Sequence, residues 1–219
     1  MKASVRFLSF ALFTIVLNLT VTFSAVPETQ GPSLSEIVFF GLPLDKELKK
    51  NNRLKKCECL QDYLKSIPKG SILLSDYTAV GPGNAVKYRR RNLEEQIVVI
   101  MGKKTRDEAK NFSLAVPLHA EWEGMSENPI NEANFVDNWL SERPGTPIAA
   151  FLHLFKAHRL RAGFECAKAR HEKGIWPVLA VKYSQALQQA MSSGNPLISC
   201  IAQDMEEQDY VYLENYGRP

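Results

Sequence analysis

The stretch that most constrains the fold lies in the second half of the chain. Thr146-Pro147 reads as an N-cap and N1 pair, and behind it Ile148, Phe151, Leu152 and Phe155, continued by Leu160, Phe164 and Ala167, recur at helical spacing. A stripe of that length is stable only against a partner surface, so it predicts a long helix. Trp176-Pro177 opens a second such pattern, with Leu179, Tyr183, Leu187 and Met191 on one face and Gly194 as its stop. Phe135, Trp139 and Leu140 mark a short helix ahead of both, after an acidic, irregular stretch over residues 121–134.

Other segments carry strand signals. Residues 96–101 hold the β-branched run Ile97, Val98, Val99, Ile100, and residues 36–41, 71–77 and 113–119 are further apolar runs of strand length. Residues 197–202 and 209–213 read as a closing hairpin around an acidic connection. Leu44, Leu48, Leu54, Leu60 and Leu64, set among lysines, suggest a helix ending before Pro68-Lys69-Gly70. Strands and helices in mixed order without regular alternation predict an α+β fold, a largely antiparallel sheet packed by about three to four helices in a single domain over residues 36–219.

Composition excludes several classes. With 45% hydrophobic and 23% charged residues, and 12 Gly and 12 Pro scattered through 219 positions, the chain is neither disordered nor collagen-like. Residues 1–25 read as a secretory signal: Lys2 and Arg6 precede an apolar run from Phe7 to Leu17, too short to span a bilayer, and Ser24-Ala25 suits cleavage. Residues 26–35 follow as a flexible leader. Without the signal, the net charge of +3 loses two bases, and a near-neutral mature chain gives no argument for nucleic acid or for a membrane as partner.

Export sets the reading of the cysteines. Cys57, Cys59, Cys166 and Cys200 are disulfide candidates with three possible connectivities. Cys57 and Cys59 point to nearly opposite sides if helical, so a bridge from that region to Cys166 or Cys200 is expected. Cys-x-Cys lacks zinc-ligand spacing, and no metal or cofactor is expected. Asn111-Phe112-Ser113 is a glycosylation acceptor by pattern.

Motifs for catalysis are thin. His153 and His158 are five apart and fall on different helix faces, and His171 sits in a charged helix end. His119-Ala120-Glu121 matches half of a zinc deaminase signature but no Pro-Cys-x-x-Cys follows it. Glu121-Trp122-Glu123 is similar to the Glu-x-Glu pair of ADP-ribosyltransferases, where one carboxylate stabilises an oxocarbenium ion, and a secreted transferase or hydrolase using Glu121 and Glu123 is the alternative function. Gly81-Pro82-Gly83-Asn84 is no phosphate loop, because Pro82 removes a donor and no Gly-Lys-Ser/Thr end follows. Lys87, Arg89, Arg90 and Arg91 remain as a patch for an anion or an acidic partner.

The most distinctive segment outside the core is the C-terminus. Tyr210 and Tyr212 alternate with Val211 and Leu213, as on an edge strand with outward tyrosines, and with Tyr216 and the acidic Glu214 they form the expected partner-binding surface. An export signal over residues 1–25, one domain and no enzyme motif together resemble the small secreted effectors of plant-pathogenic fungi, the smut-type host-targeted proteins. That resemblance implies a non-catalytic protein delivered outside the fungal cell or into the host, acting by binding a host or extracellular protein such as a signalling enzyme.

Overall fold

The computed structural model describes Leu34, Cys57, Glu58, Asp62 and residues 84–119 and 124–217. Helix accounts for 82% of these, and none is in a strand, so the predicted α+β class with an antiparallel sheet is corrected to an all-helical fold among the described residues. Within described residues 84–119 and 124–217, seven α-helices follow in order: α1 Ala85–Met101, α2 Arg106–Ala115, α3 Glu127–Glu142, α4 Ala149–Ala169, α5 Trp176–Met191, α6 Pro196–Gln208 and α7 Tyr210–Tyr216. All described residues fall in the unit Gly31–Pro219.

Helix α4 is the axis of the bundle. Its 21 residues give a length of about 31 Å at the usual rise, and it packs against α3, α5 and α6. The stripe from Phe151 to Ala167 is buried throughout, and Leu154, Ala157, Lys156, His158 and Arg159 are buried as well, so the helix is enclosed on nearly every side. Its start lies two residues later than the sequence signal. Thr146 Oγ1 donates to Glu108 on α2 (3.0 Å), and Ile148 takes the N-cap position instead. Glu108 also accepts from Trp139 Nε1 (3.2 Å), which binds α2 to α3 beside an edge-on cluster of Phe112 with Trp139 and Phe155 at 5.3 and 5.8 Å.

At the far end of α4 the chain turns through His171, whose φ of 59° is left-handed. His171 N donates to Lys168 O and Glu172 N to Ala167 O, closing the last turn as glycine usually does. Gly163, near the middle, allows α3 close: a Cβ there would meet Ile130 Cγ1 at 2.8 Å.

Each strand assignment inside the described residues is replaced by helix. Residues 96–101 end α1, and residues 113–115 end α2 before an extended stretch to His119. The expected hairpin of residues 197–202 and 209–213 is α6 followed by α7. Asn195 caps α6, its side chain accepting from Leu197 N and Ile198 N, with Pro196 in the first turn. The apolar positions Leu197, Ile198, Ile201, Ala202 and Met205 then recur with helical period. Charged residues 103–110 form a 3-10 turn and the start of α2, and residues 127–134 already belong to α3. The strand readings at 36–41 and 71–77, the signal at 1–25 and the Gly81-Pro82-Gly83 segment lie outside the described residues.

Candidate functional site

The C-terminal helix is fastened from below. Asp209, at the turn between α6 and α7, accepts from Arg161 Nε of α4 (2.8 Å) and from the hydroxyl of Tyr183 on α5 (2.7 Å). Burial, followed by the nearby Asp209 carboxylate, pushes the Tyr183 phenol well above its usual value, so it stays a neutral donor. One turn on, Tyr212 stacks on Phe164 with centroids 3.7 Å apart and donates to the carbonyl of Trp176 (2.9 Å). Burial also raises the Tyr212 phenol, with Asp209 adding to the shift. Tyr216 meets Trp176 edge-on at 6.2 Å.

This anchoring corrects the edge-strand picture of the C-terminus. A helix places Tyr212, Leu213 and Tyr216 on one side and Tyr210, Val211 and Glu214 on the other, where a strand would have shown both Tyr210 and Tyr212 to solvent. Tyr210 is 59% exposed and Val211 70%, whereas Tyr212 is buried. The outcome is a short ridge of an aromatic, a valine and a carboxylate, held on a fixed base.

The basic run is divided the same way. Arg89 turns inward to Glu132 (3.4 Å) and to the carbonyl of His119, and Arg90 donates to the Ser113 carbonyl and to that of Leu114 (2.7 Å) at the end of α2. Lys87 is exposed, and Arg91 is exposed beside Glu95 at 3.7 Å. Together with Val86, Glu94 and Leu114 they line an open groove of about 460 Å³. Arg89 is turned away to Glu132, while Lys87, Arg90 and Arg91 share the groove.

Sequence reasoning missed the knot to which Arg89 belongs. Glu132, fully buried on α3, accepts from Arg159 Nε of α4 (2.6 Å), and Arg159 in turn lies over the Phe155 ring (4.2 Å to its centroid). Arg159 also contacts His158 Nδ1 (2.7 Å). Burial, and then the neighbouring Arg159, Arg161 and Arg89, hold His158 well below its usual pKa, so its imidazole is neutral. The signal was a helix-spaced set of polar residues inside apolar stripes, which a hydrophobicity count passes over. This carboxylate is bound on both sides and sealed from solvent, so its chemistry is cohesion.

Cys57 and Cys200 form a disulfide pair with Cα atoms 6.1 Å apart, one of the pairings expected from export. Cys166 is free and half-buried; burial, then Glu165 and Glu172, push its thiol up and keep it protonated. Cys59, Glu121 and Glu123 lie outside the described residues. Asn111 is exposed on α2, His171 is exposed, and His153 is half-buried. Among the described residues no group of three or more His, Cys, Asp or Glu is placed to hold a metal ion, and no helix is long and apolar enough to cross a membrane. The sequence matches no protein-family model, no curated protein and no solved structure.

Proposed function

We propose that this chain is an exported binding protein, effector-like in the smut-type sense, whose contact with a host or extracellular protein is made by the outer face of α7. The observation that carries this reading is the contrast across a single helix: Tyr212 and Leu213 are locked into the bundle while Tyr210 and Val211 stand in solvent. An exposed tyrosine on a rigid base needs no ordering of backbone on binding and brings apolar area with a hydrogen-bonding tip. Glu214 and the neighbouring Glu206 and Glu207 add negative charge, which suits a partner with a basic rim. The Cys57–Cys200 pair supports passage through an oxidising compartment.

Two experiments test the reading. N-terminal sequencing of the protein recovered outside expressing cells is expected to begin within a few residues of Val26, and a retained Met1 in that fraction overturns cleavage. Partners cross-linked to the wild-type chain are then titrated against a Tyr210→Ala, Val211→Ala double variant. If Tyr210 is a hot spot, affinity falls by about 2 kcal/mol with the melting temperature unchanged. Equal affinity of both proteins for every partner recovered moves the contact away from α7.

A further inference from the structure

The Asn111-Phe112-Ser113 triplet is split by its helix into one accessible residue and two sealed ones. Asn111 is exposed, and Leu114, one turn along the same face, is 59% exposed. Phe112 is fully buried, edge-on to Trp139 and Phe155, and Ser113 is 1% exposed with its hydroxyl donating to the Lys110 carbonyl at 2.9 Å. The acceptor pattern requires a hydroxyl two residues after the asparagine, so the modifying enzyme must read Ser113 as well as Asn111. In the folded chain it can reach only Asn111.

We infer that Asn111 carries an N-linked oligosaccharide and that it is added before α2 docks. The inference rests on the export reading above. Asn111 Nδ2 bonds to the anomeric carbon of a lipid-linked oligosaccharyl pyrophosphate. The bond from that carbon to the pyrophosphate oxygen breaks, the lipid pyrophosphate leaves with the electron pair, and an amide proton passes to a base of the transferring enzyme.

The order follows from the chain itself. With 10 residues, α2 is too short to persist alone in water. Its aromatic anchors Trp139 and Phe155 emerge later in synthesis, and at about 5 to 20 residues per second the stretch up to Phe155 takes roughly 2 to 9 s. During that interval the triplet is open; afterwards Phe112 and Ser113 close it. The exposed position of Asn111 lets the bundle form with the glycan in solvent, over the apolar side chain of Leu114.

Full-length message translated with microsomes tests both parts. The expected product is a protease-protected chain carrying one glycan, removed by endoglycosidase and absent from Asn111→Gln, which alters an exposed side chain and leaves circular dichroism unchanged. If the transferase is blocked by a competing acceptor peptide during synthesis and released afterwards, transfer is expected to be at least about a hundredfold slower, because a folded chain opens in no more than about one molecule in a thousand. A protected chain without a glycan, a shift that persists in Asn111→Gln, or equal rates before and after folding each overturns the inference while leaving export intact. A chain that stays outside the vesicles overturns the export reading, and the glycan site with it.

Discussion

Arg159 and Arg161 stand two residues apart on α4 and each grips a carboxylate, but on opposite sides of the helix and in different surroundings. Arg159 holds Glu132 where the carboxylate has no exposed side-chain surface, while Arg161 holds Asp209 whose side chain is 12% exposed. The inner knot ties α4 to α3 and, through Arg89, to α1. The outer knot ties α4 and α5 to the turn that launches α7. Similar chemistry therefore serves cohesion at one site and presentation of a surface at the other. Burial decides which, because an ionic group without water depends wholly on its partners.

The sharpest way to break this contrast is to remove each carboxylate in turn. Glu132→Ala is expected to lower unfolding free energy by about 3 to 5 kcal/mol, since two guanidinium groups lose a buried partner. Asp209→Asn is expected to cost about 1.5 to 3 kcal/mol, the range for a hydrogen bond to a charged group. Chemical denaturation of both variants measures the difference, and equal losses would show that the outer site is as sealed as the inner one.

Titration separates the two knots by sign. His158 has a folded pKa below its ordinary 6.5, so the unfolded chain takes the proton first. The stability from its neutral burial is complete above pH 6.5 and falls by up to about 1.4 kcal/mol per pH unit below it, until the folded value is reached. Tyr183 is displaced in the other direction, above 10, so its contribution is complete below pH 10 and declines as pH rises beyond it. Stability measured against pH is expected to have a shallower acid slope in His158→Gln, the remainder coming from His153, and a shallower alkaline slope in Tyr183→Phe, the remainder coming from Tyr212 and Cys166. A slope left unchanged in the matching variant assigns it to another group.

Smaller effects sharpen the picture of α4. Gly163→Ala gains helix propensity but drives a methyl into Ile130, and a net loss of about 1 kcal/mol is expected from overpacking. Tyr210→Ala is expected to change stability by no more than about 0.5 kcal/mol, because its side chain is mostly in solvent. A large drop in the melting temperature of this last variant would place Tyr210 among the anchors and remove it from the binding face.

Helices α4 and α5 were legible because their stripes carry regularly spaced apolar residues: Leu179, Tyr183 and Leu187 declare α5 without help. Helix α1 was not. Its buried positions include Asn92 and Gln96 beside Leu93 and Ile97, so the polar members interrupt the stripe and the β-branched run at 97–100 stands out in their place. Tertiary packing overrides that local preference. At the C-terminus the alternation of Tyr210 to Leu213 is real in the sequence, but Tyr212, Leu213 and Tyr216 also fit one helical face, and the anchors Phe164 and Trp176 decide between them. Tyr210 and Glu214 lie exposed on α7, while Tyr212 is an anchor. The inner knot escaped notice because a buried arginine and an exposed one look alike in a sequence.

Two described residues from before α1, Leu34 and Cys57, meet α6 one turn apart. Cys200 receives Cys57, and one turn further Asp204 accepts the backbone N–H of Leu34 at 3.1 Å. The sulfur bond joins positions 143 residues apart, so most of the bundle is contained in one covalent ring. A protease that cuts any connection within that ring, such as the one between α3 and α4, leaves a single molecule of unchanged mass apart from one added water. Only a thiol reductant would let the pieces part, and a nicked chain would otherwise travel, and be weighed, as if it were whole.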